Sequence, residues 1–449
     1  MADRNGHGGR RARWLRRDVM GIGLALVNRV GGASVLDRLG LRKPAERVAF
    51  EATRAGFRTL GAATRSFRAV RQRGEPARLP SAGERGLFDL TPTDEQRLIR
   101  DTVVEFAAEQ LRPAAADADT RCAPPAELLG RAAELGVGLV GVPEALGGAG
   151  DERSAMTNVL VAEAMAHGDM GLAVACLAPT AVSTALVLWG DERQQATYLP
   201  AFVGDDVPAA ALALVEPRPL FDPFALRTKA RRAGGGYVLD GVKSLVPRAA
   251  QAELFVVAAE LDGAPVLFLV ESDTAGVTIE ADPAMGLRAA GMGRLVLDGV
   301  SLPPGAMLGG GTSDVYADCV RLSRLGWCAL AVGTAQAVLD YVIPYVNGRE
   351  AFGEPLSHRQ GVAFRVADIA IELEGMRLAS YRAASRAEQG LPFAREVALA
   401  RRLCADRGMA IGSDGVQLLG GHGFVKEHPV ERWYRDLRAV GVMEGVVLV

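Results

Sequence analysis

AELFVVAAELDGAPVLFLVES, residues 252–272, reads as two β-strands joined by a tight turn. Runs rich in Val, Leu and Phe stand on both sides of Asp262-Gly263, and an Asp-Gly pair in that position is a strong signal for a β-hairpin. The neighbouring stretches have the same short, β-rich character: 209–217, 228–246 and 293–303. The sequence therefore predicts a small antiparallel β domain over roughly residues 206–310.

Helical periodicity flanks this β domain on both sides. Before it, Thr91 is the expected N-cap of a first helix, and Pro113 is the expected end of that helix, because proline interrupts a helix interior. From Asp314 onward, the segments have the period and the length of helices in an antiparallel bundle. The predicted class is mainly α with a central β domain. Its three parts are a helical domain at 88–205, the β domain at 206–310 and a helical bundle at 311–449.

The charge of the chain is unevenly distributed. The 449 residues carry a net charge of −2, but residues 1–80 contain 18 Lys and Arg against 6 Asp and Glu, a balance of +12, so the rest sums to −14. We interpret 1–80 as a basic helical leader, followed by a linker to residue 87. Two interpretations of the leader stay open: an interfacial helix on an anionic membrane, or an arm that packs on the acidic remainder. No nucleic-acid-binding module accompanies the charge, so nucleic acid is not an expected partner.

The cysteines, the histidines and one apolar run indicate where the protein is located and whether it holds a metal. The five cysteines are scattered and include no CxxC pair, which is typical of reduced thiols in a cytoplasmic protein. The apolar run Val19–Val27 is too short to span a bilayer, and no clear cleavage site follows it. We expect a cytoplasmic protein, with peripheral membrane contact through the leader as the alternative. The five histidines lack the spacing of metal ligands, so no metal site is predicted. His422 lies in the glycine-rich turn and is interpreted as a turn residue, with contact to a phosphate as the alternative.

Seven short motifs follow one another along the chain after the leader. They are VPEALGG (142–148), ALVEP (213–217), GYVLDGVK (236–243), REAFGEPLSHRQ (349–360), QLLGGHGF (417–424), HPVERWYRD (428–436) and MEG (443–445). Each motif alone is weak. In this order, and on this predicted architecture, residues 88–449 resemble the acyl-CoA dehydrogenase family, whereas the leader lies outside the resemblance.

The resemblance implies a fold and an activity. The family has an N-terminal helical domain, a small β-barrel and a C-terminal four-helix bundle, usually assembled as dimers of dimers. Its members use FAD to introduce a double bond between Cα and Cβ of an acyl-CoA thioester. A carboxylate removes the α-proton, the flavin accepts the β-hydride, and an electron-transfer flavoprotein takes the electrons. Homo-oligomers and complexes of two unlike subunits both occur in such a family.

Glu444 is the candidate catalytic base that the resemblance implies. A lone carboxylate in the apolar run 441–449 is costly to bury unless it is paired, protonated or used, and its position matches the base of many family members. Other members carry the base just before an Arg of the bundle, but here Ser323 precedes Arg324. The alternative for Glu444 is a solvated terminal carboxylate. For Arg324, which matches a family residue near the substrate, the alternative is an ordinary helix-start arginine.

The residues that in the family reach the FAD of the neighbouring subunit look retained. They are Arg349, Phe352, Gln360, Gln417, Gly420 and Gly421. Arginine pairs well with phosphate, and glycines let backbone N–H groups approach it closely. Alternatives stay open for some of them. Gly420-Gly421 fits a helix C-cap, and Arg349 fits a surface salt bridge with Glu350 or Glu354.

The residues that in the family hold the subunit's own FAD look altered. The family's Thr, Ser, Trp-Ile-Thr-Asn, Thr and Gln are replaced here by Val215, Phe221, Leu245-Val246-Pro247-Arg248, Val446 and Leu448. Of the Gly-x-Gly-Ser-Asp stretch only Asp222 remains, and we treat it as a candidate substrate contact. Three hypotheses follow. The chain is a divergent dehydrogenase with other FAD contacts, a flavin-poor partner in a heteromeric dehydrogenase, or a non-redox acyl-CoA-binding protein of the same fold.

Overall fold

The computed structural model describes residues 91–138, 142–148, 154–204 and 206–443. The basic leader 1–80 with its linker to 87 lies outside the described residues. So do the candidate base Glu444 and the positions Val446 and Leu448. The described part runs from helices through a β domain back to helices, so the prediction of a mainly α chain with a central β domain is confirmed.

The first helix, α1 (Asp94–Phe106), begins two residues later than the sequence suggested. Its N-cap is Thr93, not Thr91. The Gln96 backbone N–H donates to the Thr93 hydroxyl at 3.1 Å, and the Gln96 side chain accepts from the Thr93 N–H at 3.0 Å. This reciprocal capping box satisfies two backbone donors, which a cap at Thr91 would not do.

Pro113 does not end this helical run, so that prediction was wrong. A π-helical turn, Ala107–Leu111, follows α1 and leads into α2 (Arg112–Arg121), with Pro113 in the first turn of α2. A first-turn residue needs no N–H donor within its helix, so proline is tolerated there. The remaining amino-terminal helices are α3 (Ala126–Glu134), α4 (Ala155–Gly168), α5 (Met170–Trp189) and α6 (Glu192–Phe202).

The β domain is one eight-stranded sheet. Its strands are β1 (Ala210–Ala213), β2 (Lys229–Ala233), β3 (Gly236–Val246), β4 (Leu254–Leu261), β5 (Ala264–Glu271), β6 (Val277–Ala281), β7 (Gly293–Leu302) and β8 (Met307–Leu308). The order is β6-β7-β3-β2-β4-β5-β8, and β1 pairs with β4. The predicted hairpin at Asp262-Gly263 joins β4 and β5. The pairings β1–β4 and β2–β4 are parallel, so the expectation of a purely antiparallel domain was wrong for these two.

The sheet curls around its own core. Tyr237 of β3 and Phe268 of β5 have ring centroids 5.0 Å apart, although two strands separate β3 from β5 in the sheet. Alternate residues of β4 face opposite sides. Phe255 and Val257 pack into this inner cluster, whereas Leu254 and Val256 pack outward in a cluster with residues of α5 and α6. Both faces of β4 are therefore buried, which explains its nearly continuous apolar sequence.

The C-terminal unit is a helical bundle. Its elements are α7 (Ser313–Gly348), a short hairpin of β9 (Glu350–Ala351) and β10 (Glu354–Pro355), then α8 (Gln360–Glu388), α9 (Ala394–Leu419) and α10 (Val430–Leu437). Within the described residues, α5 and α7 are long and apolar enough to cross a membrane by length and composition. In each, most of the apolar window is buried inside the protein, 83% for α5 and 67% for α7, so packing in the core accounts for their composition.

Two of the sequence motifs are joined by a buried ion pair. The Lys243 ammonium donates to the Glu216 carboxylate at 3.1 Å, and the two side chains are 0% and 3% exposed. Glu216 also accepts backbone N–H groups of Arg227 and Thr228. Burial lowers the pKa of Lys243 to about 8 despite this partner. The ion pair holds β3 against the segment that follows β1. It gives a structural reason for the glutamate of the motif 213–217 and for the lysine of the motif 236–243.

A third motif anchors α10 to the rest of the molecule. Arg432 donates to the buried Asp169 carboxylate, the N-cap of α5, at 2.9 Å. Arg435 forms two hydrogen bonds of 2.9 Å with Asp119 of α2. Asp436 accepts the Leu287 backbone N–H of the β domain. These contacts tie α10, and hence the chain that continues toward Glu444, to both other units.

Candidate cofactor-binding site

A cavity of about 480 Å³ opens where three elements of the bundle meet. The residue that follows α7, the first turns of α8 and the end of α9 with its glycine-rich turn form its walls. The polar and glycine residues that line it are Tyr345, Arg349, Gly361, Arg365, Gln417, Gly420, Gly421 and His422. Four residues predicted to contact FAD are thus brought together, namely Arg349, Gln417, Gly420 and Gly421.

Arg349 is available to a ligand in this cavity. Among the described residues it forms no salt bridge, and its alternative partner Glu354 is instead paired with Arg359 at 3.3 Å and with His358 at 3.8 Å. The interpretation of Arg349 as a surface salt bridge with Glu354 is therefore wrong in this structure. Its exposed guanidinium has the fork geometry that binds phosphate oxygens.

The glycines of the cavity leave space that the chain itself does not use. Gly420 has φ +59° and caps α9, so the C-cap interpretation is correct for it. Gly421 has no such backbone requirement, and a Cβ added there would meet no atom within 4 Å. The same holds for Gly361 in the first turn of α8, where glycine costs about 1 kcal/mol relative to alanine. The missing side chains therefore fit a bulky group, such as a phosphate, in the cavity.

Two further features make the cavity suited to an anion, and the sequence analysis missed both. The first turn of α8, a helix of 29 residues, lines the cavity, so the positive end of the helix lies beside it. The N-cap residue Arg359 makes no side-chain capping hydrogen bond there. Arg365 adds a guanidinium that is held by Asp414 at 2.7 Å. The available signal was the glycine at 361 followed four residues later by an arginine, a spacing that places both on one helical face.

Two of the predicted FAD-binding residues do not line the cavity. The Phe352 side chain is 94% exposed at a backbone φ of +57°, with the Arg359 guanidinium 5.2 Å from its ring centroid. Gln360 is exposed at the first position of α8. Both lie next to cavity residues in the sequence, and their contact with a cofactor stays a prediction.

The predicted substrate residues Arg324 and Asp222 do not line this cavity. Glu444 is outside the described residues, but the carbonyl of the preceding Met443 accepts a hydrogen bond from Arg401 at 3.0 Å. Ser323 is fully buried in α7, and Arg324 is half-buried beside it. Asp222 is exposed, and its carboxylate accepts the Phe224 N–H at 3.0 Å, which gives it a turn-forming role.

Three described positions that the resemblance assigns to the subunit's own FAD, namely 215, 221 and 247, carry apolar residues that are packed in the protein. Val215 and Pro247 are buried, and Phe221 packs against the outer cluster of the β domain. Leu245 and Arg248 both have positive φ, 54° and 51°, which is unusual for residues other than glycine. The residues present therefore fit the phosphate end of FAD, whereas positions 215, 221 and 247 offer no hydroxyl to a flavin ring.

A second cavity of about 270 Å³ lies between α3, α5 and the β domain. Arg248 and Cys176 face it. Burial raises the pKa of the Cys176 thiol to about 12 and lowers the pKa of Arg248. The thiol is therefore neutral at physiological pH and is no nucleophile. Among the described residues, no group of three or more His, Cys, Asp or Glu could hold a metal ion.

Comparisons with known proteins agree with this architecture. The families described as the N-terminal, middle and C-terminal domains of acyl-CoA dehydrogenase match residues 93–206, 211–300 and 310–447. The chain is 33% identical over 364 residues to the mitochondrial short/branched chain specific acyl-CoA dehydrogenase of Rattus norvegicus. That alignment covers 79% of this chain and 83% of the relative.

Solved structures give the same result. A chain from a structure described as the electron transferring flavoprotein of Acidaminococcus fermentans superposes with a TM-score of 0.74 at 27% identity, covering 79% of this chain and 95% of that chain. A glutaryl-CoA dehydrogenase from Mycobacterium smegmatis, in complex with FADH2, gives a TM-score of 0.72 at 27% identity, covering 78% of this chain and 91% of that chain. The chain belongs to the acyl-CoA dehydrogenase family.

Proposed function

We propose that this member of an FAD-dependent oxidoreductase family introduces a double bond between Cα and Cβ of an acyl-CoA thioester. Glu444 is the proposed base for the α-proton, because the alternative base position carries Ser323, whose hydroxyl is a poor base at neutral pH. FAD, when bound, supplies the acceptor for the hydride that leaves the β-carbon. An electron-transfer flavoprotein is the proposed acceptor of the electrons.

The cavity of the bundle is the observation that carries this proposal. Arg349, Gln417, Gly420 and Gly421 come from separate parts of the chain, yet they meet around one space. That space combines guanidinium groups, a helix N-terminus and glycines without side-chain neighbours. Such a donor set suits a diphosphate. We therefore propose that it holds the pyrophosphate of an FAD bound mainly by a neighbouring subunit.

The test begins with a visible spectrum and a flavin-to-protein ratio of the purified chain. Reduction of an electron acceptor is then measured with short straight-chain, branched-chain and glutaryl-CoA thioesters. Glu444→Gln should retain flavin and lose turnover by about 10²- to 10⁴-fold, the usual contribution of a positioned base. Asp368→Asn, at an exposed carboxylate of the same bundle that does not line the cavity, is the matched control and should keep turnover. Full turnover in Glu444→Gln would assign the base elsewhere.

A second candidate function is that of a flavin-poor subunit in a heteromeric dehydrogenase. The apolar residues at 215, 221 and 247 favour it, because they remove hydroxyl donors only on the side of the subunit's own flavin. In that case the chain lends Arg349 and Gln417 to a partner whose own flavin contacts are complete. Co-expression with related dehydrogenase subunits should then yield a mixed complex with fewer flavins than chains. One flavin per chain in the protein purified alone would exclude this function.

The cysteine pattern and the charge distribution of the sequence are the basis for a proposed location. We propose a cytoplasmic protein whose basic leader, residues 1–80, contacts an anionic membrane surface peripherally. The measurement is fractionation of the full chain and of a chain lacking the leader. Membrane association that is reversed by salt and lost on deletion supports the proposal. Identical fractionation of both chains would contradict it.

A further inference from the structure

A cluster of four aromatic side chains borders the cavity of the bundle. The rings of His422 and His428 stack with centroids 5.5 Å apart and planes 24° apart. Each imidazole is held from α7 through its Nδ1 atom. Tyr345 contacts His422 Nδ1 at 2.8 Å, and Tyr341 contacts His428 Nδ1 at 2.6 Å. Of the two histidines, only His422 lines the cavity, which Gly421 and Arg349 also line.

The Tyr345 hydroxyl can serve both protonation states of His422. It lies 2.8 Å from His422 Nδ1 and 3.4 Å from the Leu419 carbonyl oxygen. When His422 is neutral, the hydroxyl donates to Nδ1, so the ring proton resides on Nε2. When His422 is protonated, Nδ1–H donates to the hydroxyl oxygen, and the hydroxyl donates to Leu419 instead. In both states Nε2–H is a donor, and a change of protonation requires no movement of the ring.

We propose that His422 is an anion-binding residue of this cavity, oriented by Tyr345, and that it binds the anion more tightly when protonated. His422 lies in the turn, as expected, and the proposal takes up the alternative that its side chain contacts a phosphate. The identity of the anion, a pyrophosphate, rests on the function proposed above. The presence of the site rests on the geometry of the cluster. His428, held by Tyr341, supports the His422 ring from its outer side as a positioning residue.

Other charged and titratable groups contribute to the field at His422. From α7 come Tyr341 and Tyr345, and burial raises the pKa of Tyr341, which keeps its hydroxyl protonated. Arg349 follows α7 and forms no salt bridge with another described residue. From α8 comes Arg365, whose charge is offset by Asp414 of α9. His428, Lys426 and Glu427 follow in the segment between the turn and α10. Arg349 adds a constant attraction for an anion, whereas His422 makes the attraction depend on pH.

The experiment titrates inorganic pyrophosphate into the full-length chain by calorimetry at pH 5.5 and pH 8. Pyrophosphate itself takes up protons over this range. The quantity compared between variants is therefore the ratio of the dissociation constant at pH 8 to the dissociation constant at pH 5.5. The exposed His358, which does not line the cavity, supplies the matched control, His358→Gln. The wild type and this control should show the same ratio. His422→Gln should reduce the ratio by about tenfold, the effect of one charge-assisted hydrogen bond.

Tyr345→Phe separates orientation from charge. It keeps the imidazole but removes its hydroxyl partner, so the ratio should fall partway toward that of His422→Gln. Equal ratios in His422→Gln and wild type, or no pyrophosphate binding by the wild type at either pH, would overturn the inference. If FAD copurifies, the same ratios are taken from its dissociation constants. Dehydrogenase activity is measured separately, so an inactive chain with the expected ratios keeps this inference and loses the proposed function.

Discussion

Replacement of Arg432 by Met would leave the Asp169 carboxylate buried without its cation. The two side chains are 9% and 0% exposed, and Arg432 Nε lies 2.9 Å from Asp169 Oδ2. Removal of one partner from a buried ion pair costs about 3–5 kcal/mol, because the remaining charge is neither solvated nor paired. Asp169 retains the Leu172 N–H as a donor at 3.0 Å, so we expect the lower end of this range.

The free energy of unfolding reports this loss directly. Trp327 and Trp433 are fully buried in the bundle, so urea unfolding can be followed by tryptophan fluorescence. Arg432→Met should lower the urea midpoint with an unchanged slope. Asp169→Asn in the same background keeps a cap acceptor for α5 and removes the stranded charge, so it should restore part of the stability. A loss below about 1 kcal/mol in Arg432→Met, the range of an exposed pair, would refute the assignment of a buried anchor.

Three further variants test other parts of the structure. Lys243→Met should destabilise the β domain by about 3 kcal/mol, the lower end for a broken buried pair, because Glu216 stays buried with Arg218 as its remaining cation at 3.6 Å. The double variant with Glu216→Gln should recover part of this in urea unfolding. Burial and the charge of Asp169 raise the pKa of Asp436 to about 8, so the folded chain holds a proton that the unfolded chain releases near pH 4. Stability should therefore fall between about pH 4 and pH 8 by at most about 1.4 kcal/mol per unit, and Asp436→Asn should remove that slope. Gly421→Ala should leave the free energy of unfolding within about 0.5 kcal/mol, because its Cβ meets open space, but should weaken pyrophosphate binding.

The order of helices, β domain and helices could be predicted from the sequence, because hydrophobic periodicity and turn residues are local signals. The Asp262-Gly263 hairpin is such a case, since its two strands adjoin in the chain. The parallel pairings of β4 with β1 and β2 depend on long-range packing, and no local signal reports them. The cap at Thr93 could have been found, because Gln96 stands three residues later in the pattern of a capping box.

The helix through Pro113 illustrates what a sequence pattern misses. The π-helical turn that precedes it is packed by α4. The Gly168 backbone comes so close that an added Cβ would lie 2.6 Å from the Ala107 carbonyl oxygen and 3.0 Å from Leu111 Cβ. The extra residue in this turn is therefore accommodated by a tertiary contact, and a proline that would end an isolated helix becomes a first-turn residue.

The site was predictable to the extent that its residues belong to contiguous motifs. Arg349 and the turn at Gly420-Gly421 were found because their motifs resemble those of the family, and the chemistry of phosphate binding agrees with that assignment. Arg365 and His422 were missed or assigned differently because their roles depend on where α8 and α9 end relative to α7. The exposed position of Phe352 was equally unpredictable, since a positive φ in a hairpin directs its side chain away from the cavity.

Pro247→Thr distinguishes a divergent homomeric enzyme from a flavin-poor subunit. Pro247 is buried between Leu245 and Arg248, both with positive φ, and threonine would restore the hydroxyl and the backbone N–H that the resemblance places at this position. If this chain holds its own flavin, one added hydrogen bond of about 1 kcal/mol should tighten FAD binding roughly fivefold. If the flavin belongs to a partner, the substitution lies on the wall that faces no flavin, and the flavin content of the mixed complex should not change. Fluorescence titration of FAD therefore separates the two, with urea unfolding as the control that the variant is folded. Tighter FAD binding by the chain alone would contradict the role of a flavin-poor subunit.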